Sequence, residues 1–248
     1  MNRFQAFAVH LALSLAIFVV LAYLVVIEWY PSFFFDTDGG WRGLRIIVFV
    51  DLVLGPALTL VVYKHGKPGL KTDLTIIGVV QMVCLVAGTY IVYSERPQVM
   101  VYNDSRFSVM GADDYTSIGL QTPNLRNFPG DNPKWVMVVV PEGVQEEADF
   151  RSKIFKSGQT INTAVDLYQP FDFNHHQVKE QPEDPESFFA KPNRQAALKT
   201  WLEKNEYKQE DLLFYNIAAR FVYGALALDK HTGEPVGVIE FTQPKEDQ

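Results

Sequence analysis

Apolar residues are unevenly spread along this chain. No Lys, Arg, Asp or Glu falls between Phe4 and Ile27, only Asp51 falls between Ile46 and Tyr63, and none falls between Leu74 and Ser94. A helix rises ~1.5 Å per residue, so ~20 residues cross a ~30 Å hydrocarbon core. Inside lipid the backbone must satisfy its own hydrogen bonds, which requires helices for runs of this kind. The pattern predicts three spanning helices, about 5–27, 46–63 and 74–94, making a transmembrane domain over 1–94. The first run is longer than the apolar core of a cleaved signal, and it ends in Glu28, Trp29 and Tyr30 instead of small residues. It therefore reads as a retained span.

After Arg96 and Pro97 the pattern shortens. Gln98–Tyr102 and Phe107–Met110 read as strands around a turn at Asn103 and Asp104, and Lys134–Val140 reads as a β-branched strand stopped by Pro141. The Pro- and Asn-rich stretch 123–133 reads as loop. Helical spacing covers 146–168, with Gly158 dividing two helices, and Arg194–Lys204, with Asn193 as cap and Ala197, Leu198, Trp201 and Leu202 inward. The charged, proline-containing stretch 171–192 reads as an exposed loop. Arg220–Leu228 and Val236–Phe241 read as a hairpin turning over 229–235. The expected fold class is thus membrane α-helical, with three transmembrane helices, plus a C-terminal α+β domain over 95–248 holding a small, mainly antiparallel sheet.

Charge separates the same two parts. Residues 1–94 carry six Lys or Arg and five Asp or Glu, whereas 95–248 carry sixteen and twenty-four. An acidic domain repels phosphates, so a nucleic-acid partner is not expected. The single cysteine, Cys84, rules out an internal disulfide and a Cys-based metal site. Lys64, Lys67 and Lys71 join the second and third runs, and Arg3 starts the chain. Cationic short loops stay cytoplasmic, which puts the N-terminus inside and the C-terminal domain outside, in the periplasm of a Gram-negative cell. Trp29, Tyr30, Trp41, Tyr90 and Tyr93 are expected as an aromatic belt at the outer interface.

Asp51 is the costly residue, placed by this reading toward the outer third of its span. A carboxyl at membrane depth marks a site or a contact. Three readings stay open: a proton or hydrogen bond kept within the bundle, with Gln81 as partner; contact with another protein's helix; or a transport or proton role. Gly55 and Pro56 are expected to kink the second span, since proline removes a helix hydrogen bond. Gly78 and Gly88 are small residues that permit close approach of helices.

Catalytic patterns are not found. The sequence holds neither a Gly-rich phosphate loop nor a Gly-x-Ser-x-Gly elbow. His175 and His176, near Asp172 and Glu180, lack the spacing of a zinc site. No enzyme activity, cofactor or metal is expected.

The run holding Asp51, Gly55, Pro56 and Thr59 resembles the second span of the TfpX/TfpZ type IV pilin accessory proteins. The resemblance continues through Lys67, Leu70, Lys71, Thr72, Asp73 and Leu74, then Gln81 and Gly88, Arg96 and Pro97, and Asp104, Arg106 and Phe107 with Ser105 inserted. It returns from Tyr223 to Glu234, being dense over 45–110 and 215–240 and thin over 110–200. It implies a multi-pass bacterial inner-membrane protein that assists assembly of a cognate type IV major pilin, alone or with other pilus assembly components, without a known active site. Asp51, Gly55, Pro56, Gln81 and Gly88 are the candidate partner-binding residues, in contact with membrane lipid around them. The competing expectation is a membrane-anchored periplasmic sensor or envelope-stress component. The short cytoplasmic segments leave little room for its output domain.

Overall fold

A computed structural model describes residues 2–180 and 182–241. The chain divides into two compact units, Met1–Arg96 and Pro97–Gln248.

The first unit has three helices long and apolar enough to cross a membrane: Arg3–Trp29, Gly40–Val62 and Leu70–Ser94. Asn2 accepts from the Gln5 amide while the Gln5 side chain accepts from the Asn2 amide, closing the start of the first span. The second span starts earlier than the apolar run suggests, at Gly40, and its first turns carry Arg45 stacked over the Trp41 ring at 4.7 Å. Its middle, Phe49–Leu54, is wound as a π-helix, and the Gly55 amide reaches back five residues to the Val50 carbonyl. This wide turn lies just before Pro56, which has no amide to donate, so the irregularity expected there is present as a π-turn. Large side chains such as Val61, Val83, Val86 and Tyr90 point outward, as lipid-facing residues do.

Of the aromatics expected in a belt, Trp29, Tyr30 and Tyr93 come together at one end of the bundle. Trp29 meets Tyr93 edge to face at 5.1 Å, and Arg96 lies 3.7 Å over the Tyr93 ring. Tyr30 departs from the expectation. It is buried, and its hydroxyl donates to the Val92 carbonyl at 2.8 Å, so it ties the chain after the first span to the third. Gly43 packs here too; a Cβ on it would come within 2.6 Å of Val92.

The second unit is α+β, but its sheet is neither small nor mainly antiparallel. Seven strands form one mixed sheet: β1 Val99–Asn103, β2 Arg106–Met110, β3 Lys134–Met137, β4 Gln169–Pro170, β5 Leu212–Ala218, β6 Tyr223–Asp229 and β7 Pro235–Glu240, in the order β4-β3-β1-β2-β5-β6-β7. The β1–β2 hairpin sits in the middle, turning through Asp104 and Ser105, both left-handed as a tight two-residue turn requires. Each of its edges is then taken by a strand arriving from a long connection. β3 pairs parallel with β1, and β5 pairs parallel with β2. Such distant pairings leave no local signal.

Both faces of the sheet are covered. Val99, Val101, Val136 and Val138 pack with Tyr115, Leu125 and Tyr168. Further along the same face, Phe214, Ala225, Ala227 and Ile239 pack with Phe188, Phe189 and Leu198, while the opposite face buries Met100, Tyr102, Phe107, Tyr215, Ile217 and Leu226. Burial on both faces explains why β6 reads as a continuous small-apolar run.

Other departures have local causes. The segment after Gly158, whose φ is +74°, forms two short 3-10 turns, Ile161–Thr163 and Val165–Leu167, in place of a second α-helix. Asn193 does not cap its helix, which runs Pro192–Asn205 from Lys191, with proline at the first helical position. The expected loop 171–192 contains short helices His176–Lys179 and Pro185–Phe188, because Val178, Phe188 and Phe189 are buried anchors among its charges.

Candidate functional site

Polar side chains converge inside the three-span bundle. Asp51 lies near the middle of Gly40–Val62, not in the outer third, and Gln81 lies near the middle of Leu70–Ser94. The Gln81 amide nitrogen is 2.6 Å from Asp51 Oδ1, 3.3 Å from the Asp51 carbonyl oxygen and 3.3 Å from Ser14 Oγ. Its Oε1 is 2.9 Å from His10 Nε2, and His10 Nδ1 is 2.6 Å from Thr59 Oγ1. The five side chains come from all three spans. Ser14, Asp51 and Thr59 are buried, Asp51 to 2% exposure.

Donor and acceptor roles follow from chemistry. A backbone carbonyl only accepts, so the side of the Gln81 amide that faces the Asp51 carbonyl carries the NH2 group. Oε1 therefore faces His10, and Nε2–H of His10 donates to it. On the other side of the ring, a neutral His10 accepts the Thr59 hydroxyl proton at Nδ1. A protonated His10 donates from Nδ1 instead, and Thr59 then donates to the Gly55 carbonyl, 3.2 Å away. Rotation of one hydroxyl accommodates one proton.

The glycine of the second span makes this closeness possible. A Cβ on Gly55 would lie 2.2 Å from Gln81 Oε1. Pro56 is buried beside it. Gly88 is not part of the cluster: a Cβ there would meet nothing within 4 Å, and the same holds at Gly78. The close approaches are made by the second span's glycines, against the expectation for Gly78 and Gly88.

Among the described residues, Asp51 Oδ2 and Thr89 Oγ1 are the buried side-chain oxygens without a hydrogen-bond partner. A carboxylate at a span's centre costs about 2.5–3.5 kcal/mol, and an unpaired buried acceptor costs ~1–3 kcal/mol. Half of Asp51 is satisfied and half is not.

His10, Ser14 and Thr59 were not anticipated as members of the cluster. The signal was present, since His10 and Ser14 are four residues apart, as are Asp51, Gly55 and Thr59, a spacing that lines one helix face.

In the second unit several polar side chains pair with one another. Tyr115 donates to Tyr168 Oη at 2.7 Å, and Tyr168 donates to the Asn162 carbonyl. Burial pushes the Tyr115 hydroxyl up to about 12 and raises that of Tyr168 further. Arg151 bridges Asp104 and Glu147, whose carboxylates raise it above its ordinary value. His176 pairs with Glu142 at the surface, and among the described residues no three His, Cys, Asp or Glu side chains group as metal ligands.

No family model and no solved structure matches the chain. Three proteins of Dichelobacter nodosus do. The chain is 25% identical over 231 residues to "Fimbrial assembly protein, serogroup I", covering 90% of this chain and 89% of that protein. It is 23% identical over the same length to the serogroup E1 protein. It is 28% identical over 109 residues to the protein of serogroups C1 and C2, 43% of this chain and 82% of that protein. An alignment of 231 residues exceeds either unit alone, so the similarity to proteins named for fimbrial assembly runs through both the membrane helices and the mixed-sheet unit.

Proposed function

We propose that this chain is a non-enzymatic, chaperone-like accessory protein of type IV pilus assembly, resident in the bacterial inner membrane and of the TfpX/TfpZ kind. The observation that carries the reading is the similarity over nine-tenths of the chain to fimbrial assembly proteins. Two further features support it. The bundle joins polar side chains of all three spans in one interhelical cluster at Asp51 and Gln81, and the second unit pairs buried tyrosine hydroxyls within its own packing. Neither arrangement resembles a reaction centre.

In this account the three spans hold the apolar helix of the cognate pilin beside the second and third spans, at Asp51, Gly55, Pro56 and Gln81. The Pro97–Gln248 unit lies in the periplasm and contacts the pilin head. Arg3 and the Lys64–Lys71 loop lie in the cytoplasm, by the cationic bias of short inner loops.

Deleting the gene tests this. The expected result is loss of surface pili while pilin is still synthesised and present in the membrane. Normal piliation in the deletion strain contradicts it.

A further inference from the structure

We propose that the end of the bundle carrying Arg3, Lys64 and Lys71 is a binding site for the phosphate of an anionic phospholipid. The inference stands on the bundle alone and does not rest on the pilus reading.

The polar cluster fixes the depth at which the three spans meet, and with it the depth of the cations. His10 touches both Thr59 and Gln81. Arg3 lies seven residues before His10 and Lys71 ten before Gln81, while Lys64 lies five after Thr59, just past the helix end at Val62. At ~1.5 Å per residue, Arg3 and Lys71 stand ~10 and ~15 Å from the cluster, on the side where the second span ends. All three residues are exposed, and none has an ion-pair partner among the described residues. Lys67, between them, is paired with Asp73 at 2.5 Å. This end therefore sets Arg3, Lys64, Lys67 and Lys71 against a single carboxylate, Asp73. At the opposite end Glu28, Asp36, Asp38 and Glu95 outnumber Arg42, Arg45 and Arg96. Two of those arginines also stack on aromatic rings, Arg45 on Trp41 and Arg96 on Tyr93.

The loop that carries the lysines is internally hydrogen-bonded. The Lys67 amide donates to the Lys64 carbonyl at 3.1 Å, and the Leu70 amide donates to the Lys67 carbonyl at 3.3 Å. Two successive turns thus hold the backbone between Lys64 and Lys71. Lysine binds phosphate as a point charge, and each Lys or Arg close to an anionic lipid surface strengthens association about fivefold. The surroundings select a lipid over a soluble anion. Phe4, next to Arg3, is 69% exposed, and Ile76, five residues beyond Lys71, is 56% exposed, so lipid-facing side chains begin directly below the cations. A phosphodiester held by these cations leaves its acyl chains beside Phe4 and Ile76.

The full chain, purified in a neutral detergent, is titrated with phosphatidylglycerol or with phosphatidylcholine of the same acyl chains, and bound lipid is counted by native mass spectrometry. The two lipids share a phosphate and differ in net charge. Phosphatidylglycerol is expected to bind at least about 25-fold more tightly, and Lys64→Gln combined with Lys71→Gln removes about 25-fold of its affinity, fivefold for each lysine. Lys64→Arg combined with Lys71→Arg keeps the preference, and Arg45→Gln at the opposite end leaves it unchanged. Equal affinity for the two lipids overturns the proposal. So does a preference that survives loss of both lysines, or one that falls equally in Arg45→Gln. Displacement of phosphatidylglycerol by an equal concentration of inorganic phosphate contradicts the assignment to a lipid.

Discussion

Gln81 of the third span donates to Asp51 of the second at 2.6 Å, and the same amide accepts from His10 of the first at 2.9 Å. One side chain thus ties three spans together at mid-depth. Replacing it with leucine keeps the volume and removes both bonds. A single interhelical hydrogen bond in a membrane averages ~0.6 kcal/mol, but here two buried groups lose their partner together, so the expected cost is ~1–3 kcal/mol. Thermal unfolding of the Gln81→Leu chain in detergent should show a lower midpoint. An unchanged midpoint means that the cluster does not hold the spans.

Gly55 and Gly88 are both glycines of spanning helices, and their alanine variants should behave differently. At Gly55 the new Cβ falls 2.2 Å from Gln81 Oε1, so Gln81 must leave its place. The expected cost is ~1–3 kcal/mol. At Gly88 there is open space, and alanine gains up to ~1 kcal/mol from helix propensity. Side-by-side stability measurements check this, with equal effects as the contrary outcome.

Tyr168 closes the far end of the mixed sheet's core. Tyr168→Phe removes the buried acceptor of the Tyr115 hydroxyl and the half-buried donor to the Asn162 carbonyl. Denaturant unfolding of the sheet-containing unit should lose ~1–3 kcal/mol. A loss near zero implies that the two partners find substitutes.

Asp229 sits at the turn between β6 and β7, where the Thr232 and His231 amides donate to its carboxylate at 2.8 Å. These bonds hold its pKa below the ordinary 3.8, the Thr232 amide contributing most. The folded state therefore releases this proton more readily than the unfolded one. Its stabilising effect is complete above pH 3.8 and is lost as pH falls below that value toward the lowered one. Asp229→Asn should flatten that part of the stability profile. Asp184, lowered by the Ser187 amide, retains its own share. An unaltered profile excludes the turn as a contributor.

Three spans and an α+β second unit were legible because charge-free runs and alternating strands are local patterns. The Asp51–Gln81 contact was legible for a related reason, since two mid-span polar residues on neighbouring helices must find partners. His10 escaped because its partners lie 49 and 71 residues away in sequence. β5 escaped likewise: Leu212–Ala218 pairs in parallel with β2, and a run buried between two strands does not alternate. Tyr30 looked like an interface anchor and is a buried strut instead, because only the folded chain brings the Val92 carbonyl to its hydroxyl.

Binding of a pilus subunit within the membrane is the core of the proposed function. Affinity isolation of the full-length chain from mildly solubilised membranes of a piliated strain tests it most directly. The expected result is that the subunit co-isolates in near-stoichiometric amount and is depleted from the isolate by Asp51→Asn. Recovery of intact chain, from membranes rich in the subunit, without the subunit contradicts it.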